Sequence, residues 1–254
     1  MREFFSKALF IMAVALIWEA VRAAGRYPEL LLPGVGSVFG ALWSERAEIL
    51  GRTLFSLKII ISGLLAAVFF AMVGTFVSMS GRFFSEVITD IMAVMHPLPG
   101  IAILPIAILW FGIGTEAILF VIVFSALWPL INHFYTGFRS IPNNQLEVGK
   151  NLGLSGLKLA LSVMLPASFP HILGGLRTGW ARAWQASVAA ELVFGAAGGE
   201  GGLGWYLYKK RFMMETPGVF AGMVVIILIG IAVEYLVFAG IEKRTVRKWK
   251  TIID

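Results

Sequence analysis

Apolar residues run together for about 20 positions at a time, and charged residues gather between the runs. A helix needs roughly 20 such residues to cross a hydrocarbon core, so the pattern predicts six membrane helices. The first lies in MREFFSKALFIMAVALIWEAVRAAG. The others fall at about Leu54–Met79, Ser85–Trp110, Ala117–Thr136, Ile172–Phe194 and Pro217–Ile241. The opening run has the basic start and small-residue exit (Ala23, Ala24, Gly25) of a signal peptide. Trp18, Glu19 and Arg22 sit awkwardly just before that exit, and the run is read as the first membrane helix. Pro97, Pro99 and Pro105 predict a kink or break in the third span. Between spans one and two, Val38, Leu42 and Ile49 recur at helical spacing, which predicts a helix over Ser37–Leu50 lying flat at the outer interface.

Composition agrees with the pattern: 58% of the 254 residues are hydrophobic and 14% charged. Apolar runs along the whole length leave no room for a separate soluble core, so residues 1–254 are read as a single all-α membrane domain. The surplus of 21 basic over 15 acidic residues marks cytoplasmic loops rather than nucleic-acid binding. The absence of cysteine excludes disulfides, thiol chemistry and a cysteine metal site. Spans two and six are rich in glycine (Gly63, Gly74, Gly222, Gly230, Gly240), as close helix packing in membranes requires.

Basic residues near the span ends set orientation. With the N-terminus inside, the cytoplasmic side receives Arg2, Lys7, Arg82, Arg139, Lys150, Lys158 and the tail Lys243, Arg244, Arg247, Lys248 and Lys250. The outside receives Arg22, Arg26, Arg46, Arg52 and the cluster Lys209-Lys210-Arg211. The balance puts both termini inside, with the Lys209–Arg211 cluster voting the other way. That cluster is either an attractor for an anion or an acidic protein face, or plain solvated charge.

The longest inside loop holds EVGKNLGLSGLKLALSVMLP, Glu147 to Pro166. Glu147–Leu152 is expected to form one short helix and Gly153 to end it in the left-handed conformation. Leu154–Met164 then forms a second helix, stopped by Pro166. Leu154, Leu157, Leu161 and Leu165 make an apolar stripe at helical spacing. The segment is either a helix resting on its own membrane domain or a knob for a groove on a cytoplasmic partner.

Glu147-Val148-Gly149, Gly153 and Leu165-Pro166 resemble the "EAA" signature of the permease subunits of bacterial ABC importers that work with a periplasmic binding protein, with Val148 and Gly149 replacing two alanines. HPLPGIAILPIAILWFGIG (His96–Gly114), ALWPLINHFYTGFRSIP (Ala126–Pro142), AAELVFG and the later GGLGW are similar to the nitrate/sulfonate/taurine branch. The resemblance runs from about Trp18 to Lys243. It implies the type I importer permease fold, a second copy of the chain, two cytoplasmic ATPase subunits, a periplasmic or lipid-anchored substrate-binding protein and a place in the bacterial inner membrane. It implies an anion such as nitrate, a sulfonate or taurine as cargo. It also implies a coupling segment at 145–166, carried by Glu147, Gly149, Gly153, Ser155, Leu157 and Pro166.

No cofactor is expected on this chain. ATP and magnesium belong to the partners, since no G-x-x-x-x-G-K-[ST] phosphate loop is present. The glycine-rich Gly198–Gly204 lacks the Lys-Ser/Thr that would follow one and is read as an external flexible loop.

Polar residues inside spans point to function by default. In span four Ser125, Pro129, Asn132 and Thr136 share one face, beside His133. In span five Arg177, Trp184 and Glu191 are seven apart, with Gln185 beside them. Ser125, Asn132, Thr136, Trp184, Gln185 and Glu191 are the candidates for a translocation path. The alternative is that Asn132 satisfies backbone groups freed by Pro129, while Arg177 and Glu191 cap helix ends or pair with neighbours.

His96, His133 and His171 lack a nucleophile or carboxylate set, which disfavours a membrane enzyme. The lack of repeat symmetry disfavours an ion-driven secondary transporter. Import of a neutral or cationic nutrient such as a vitamin precursor by the same machinery stays open.

Overall fold

The computed structural model describes residues 2–25, 27–194 and 201–246, with the side chains of 2–8, 10 and 11 outside that description. The expectations for Arg2, Lys7, Arg26, Gly198, Gly199, Glu200, Arg247, Lys248 and Lys250 therefore lie outside the described residues. Those described are helical throughout apart from turns and loops, with no strand among them.

The helices are α1 (Arg2–Gly25), α2 (Val35–Ser44), α3 (Arg46–Met79), α4 (Arg82–Met95), α5 (Leu104–Phe111), α6 (Thr115–Arg139), α7 (Asn143–Asn151), α8 (Gly156–Leu159), α9 (Leu165–Phe194), α10 (Leu203–Phe212), α11 (Thr216–Ala232) and α12 (Ala239–Arg244). Four continuous helical stretches are long and apolar enough to cross a membrane: Arg46–Met79, Thr115–Arg139, Gly156–Phe194 and Thr216–Arg244. A fifth span forms if the bent pair α4 and α5 counts as one. α1, at 24 residues, has the length to cross as well.

The chain divides into two compact units, Met1–Ser56 with Glu191–Leu228, and Leu57–Ala190 with Ile229–Asp254. Helices α3, α9 and α11 contribute to both.

In the first unit the Trp18 indole donates to Pro33 O at 2.9 Å, and Glu19 accepts the Val35 N–H that opens α2. Trp18 also meets Phe220 edge-on, with ring centroids 5.0 Å apart. The expected interfacial helix over Ser37–Leu50 is corrected here. α2 ends at Ser44, and Arg46–Leu50 already belong to the long helix α3.

In the second unit α6 is the central helix. α9 runs antiparallel to it, and glycines set the approach: a Cβ at Gly175 would meet His133 Cβ at 2.8 Å, one at Gly137 would meet His171 Cβ at 2.7 Å, and one at Gly179 would meet Leu130 at 3.1 Å. With no side chain to exclude, the backbones close on one another, the usual solution where lipid supplies no hydrophobic drive. α3 packs parallel to α6 in the same way, with Gly63 on Ile122 and Gly74 on Ile131. The third span is broken rather than merely kinked: α4 and α5 meet at 93° across His96–Pro99 and a 3-10 turn at Gly100–Ile103. Gly100 lies so close to Ser125 that no side chain fits there.

Large apolar side chains such as Leu65, Phe69, Leu109 and Leu236 stay exposed on these helices. A surface of this kind is stable when hydrocarbon covers it.

Two expectations about helix ends need correction. Pro166 does not stop a helix: a π-helical turn at Ala160–Met164 carries the chain from α8 directly into α9. The wider turn changes the hydrogen-bond register just before the proline, whose missing N–H then falls at the second position of α9. The expected loop over Gly198–Gly204 is corrected at its end, because Leu203 and Gly204 already lie in α10.

Candidate functional site

The turn between α7 and α8 carries several exposed apolar side chains. α7 closes with the Gly153 N–H on Lys150 O at 2.9 Å and the Leu154 N–H on Gly149 O at 3.1 Å. Those are the two bonds of a Schellman cap, which needs a left-handed residue between them. Gly153 supplies it at φ 77°, as the sequence indicated.

α7 then lies against the returning strand of helix. A Cβ on Gly149 would meet Leu159 Cδ1 at 2.6 Å and Val163 Cγ2 at 3.0 Å, which explains why the position is glycine and why it is buried.

This packing turns Val148 (58% exposed), Leu152 (74%), Leu157 (72%) and Leu161 (56%) outward. A groove of about 440 Å³ runs beside them, lined by Gln145, Val148, Leu152, Val163, Pro166 and Ala167 among others. Glu147 and Ser155 are exposed at the tip. Because α7 begins at Asn143, Glu147 sits in its middle and caps nothing. Of the predicted coupling residues, Gly153 and Gly149 shape the turn, Leu157 is the protruding apolar side chain and Pro166 lines the groove. Leu154 and Leu165 of the expected stripe are half-buried.

The predicted polar faces divide. On α6, Asn132 and Thr136 are exposed, Ser125 is half-buried with its hydroxyl on Val121 O, and Pro129 is buried. On α9, Gln185 is exposed, whereas Trp184 is buried and stacks on Trp180 at 5.8 Å. Arg177 pairs with Glu234 and Glu242, each at 3.1 Å.

Glu191 is buried and spent internally. Its carboxylate accepts the N–H groups of Gly204 (2.8 Å) and Trp205 (3.3 Å) at the start of α10, and the Ser56 hydroxyl at 3.4 Å. Arg177 and Glu191 thus follow the pairing and capping alternative. Sequence reasoning passed over Arg182, an exposed arginine in the same helix. Its signal was its charge within an apolar run.

Two of the three cations of the Lys209–Arg211 cluster are paired internally, while Arg211 stays exposed over the Tyr208 ring. Lys210 is buried between Glu45 (2.7 Å) and Glu215 (2.5 Å), and Lys209 reaches Glu48 at 3.1 Å. The Tyr206 hydroxyl donates to Glu45 at 2.7 Å. Burial and the Glu45 carboxylate push the Tyr206 hydroxyl pKa up. Burial lowers that of Lys210, but its bonds to Glu215 and Glu45 outweigh burial and hold it above the ordinary value. Among the described residues no three His, Asp or Glu side chains gather as a metal site.

A bundle of apolar helices with a glycine-closed, apolar helical tip defines a multi-pass membrane protein. The chain belongs to the family described as the binding-protein-dependent transport system inner membrane component, whose model matches residues 59–247. Its relatives place it among ABC transporter permeases of the nitrate, sulfonate and taurine type. It is 30% identical over 200 residues to the taurine transport system permease protein of Escherichia coli (78% of this chain, 68% of that one). It is 28% identical over 204 residues to the nitrate import permease protein of Leptolyngbya laminosa (80% and 69%). It is 27% identical over 242 residues to the riboflavin transport system permease protein of Chloroflexus aurantiacus (94% and 88%).

Proposed function

We propose that this chain is the transmembrane subunit of an ATP-driven importer. Two copies form the membrane path, two cytoplasmic ATPase subunits dock on the tips, and a binding protein delivers a small solute from outside. ATP and magnesium sit on the ATPases. Closure of the ATPase pair carries the tips together and turns the path from inward-facing to outward-facing, so this subunit does mechanical rather than chemical work.

The observation that carries the reading is the exposed tip. Leaving Val148, Leu152, Leu157 and Leu161 in water forgoes roughly 1.5–3 kcal/mol for each side chain that a partner groove would bury. A partner offering such a groove explains the exposure. The basic residues Arg139, Lys150, Lys158, Lys243 and Arg244 support a cytoplasmic tip and C-terminus in the bacterial inner membrane.

The cargo is a small anion such as nitrate, a sulfonate or taurine, by analogy with what the relatives are named for. Asn132, Thr136 and Gln185, exposed on the protomer, are the polar contacts of the path, with Ser125 at its edge. The riboflavin permease, matched over nearly the whole chain, supports a second reading in which the same machinery imports a neutral nutrient.

Reconstitution with the ATPase and the binding protein tests the proposal. Solute uptake into vesicles should require ATP and all three components, and Leu157→Asp should abolish it. Uptake by this chain alone, driven by an ion gradient, would overturn it.

A further inference from the structure

Arg182 is the one charged side chain in α9 that makes no ion pair or hydrogen bond to the described residues, and it is exposed. It stands twelve residues before the end of α9 at Phe194, about 18 Å along the helix, which puts it near the middle of a membrane. His171, Thr178 and Gln185 fall on the same face, eleven and four residues before it and three after. Thr178 returns its hydroxyl to Gly174 O at 3.0 Å, and the exposed His171 and Gln185 have no hydrogen-bond partner among the described residues.

A bare guanidinium on a lipid-facing surface is costly, and intramembrane charges face water-filled cavities or partners instead. The stripe is therefore not covered by hydrocarbon.

Resting on the importer reading above, we propose that Arg182 is the charge-recognition point of the path. Its guanidinium, with the Gln185 amide beside it, takes the oxyanion group of the cargo at mid-membrane. Guanidinium forks pair with two oxygens of a carboxylate, sulfonate or nitrate through parallel N–H bonds. In a symmetric pair of chains each copy contributes one guanidinium to the cavity.

The chain has no native cysteine, so a single introduced thiol is a unique reporter. Gln185→Cys, with Thr178→Cys as a second reporter should the first misfold, is labelled in membrane vesicles with an anionic and a cationic methanethiosulfonate and with neutral, membrane-permeant N-ethylmaleimide. The expected result is labelling by both charged reagents, with the anionic one favoured by about tenfold over its ratio in the Arg182→Gln background. Labelling by the neutral reagent alone would mean a lipid-covered face and overturn the proposal. An anion preference unchanged by Arg182→Gln would overturn it too. Neither failure touches the importer reading, which stands or falls on ATPase docking and ATP-driven uptake.

Discussion

Glu191 accepts the backbone N–H of Gly204 at 2.8 Å, across the glycine-rich turn that precedes α10. The same carboxylate takes the Trp205 N–H, and Ser56, which donates to it, accepts the Leu203 N–H at 2.9 Å. Those three amides open α10 and have no partner within the helix. Two buried side chains therefore finish its N-terminus, and Gly202 makes room, since a Cβ there would meet Glu191 Oε1 at 2.7 Å. Glu191→Ala should cost about 1–3 kcal/mol by leaving these donors unsatisfied. Glu191→Gln, which keeps an acceptor oxygen, should cost less. Thermal unfolding in detergent reads the difference, and equal midpoints for wild type and both variants would contradict the capping role.

At the tip, Gly149→Leu should overpack α7 against Leu159 and Val163, at about 1–3 kcal/mol. Membrane insertion should persist while ATPase association weakens at least about tenfold, 1.4 kcal/mol being a factor of ten. Quantitative co-purification from equal amounts of inserted protein checks it.

Gly153→Val forces a β-branched residue to φ 77°, which L-residues resist by roughly 1–2 kcal/mol. The variant should insert normally yet lose substrate-stimulated ATP hydrolysis. Unchanged stimulation would show that the left-handed turn is not needed for coupling.

The cluster of Tyr206, Lys210, Glu45 and Glu215 predicts alkaline sensitivity. The Tyr206 and Lys210 pKa values lie above their ordinary values, so folding favours the protonated forms. Their contribution is complete below the unfolded values, about 10 for each, and is lost as pH rises through the higher folded values. Wild type should lose thermal stability above about pH 10 more steeply than Tyr206→Phe combined with Lys210→Met. Parallel pH profiles would contradict the assignment.

The spans and the break at Pro97 and Pro99 were legible because both follow from local chemistry: apolar length and proline's missing N–H. Gly153 was legible for the same reason, as a glycine between two short segments of helical pattern. What depends on distant partners was not. The neutralisation of Lys210 needs Glu45, 165 positions away, and nothing in YKKR announces it. Counting sevens from Arg177 selects Trp184 and Glu191, which turn inward, and steps over Arg182, which does not. Helix continuation through Pro166 was hidden because a π-helical turn leaves no mark in composition.

The most direct measurement is co-purification of the full-length chain with the importer's ATPase in mild detergent, comparing wild type with Leu152→Asp combined with Leu157→Asp. Stoichiometric ATPase on the wild type and its loss from a variant that remains inserted is the predicted result. Equal ATPase on both, or none on the wild type, would contradict docking at the Gly153 tip.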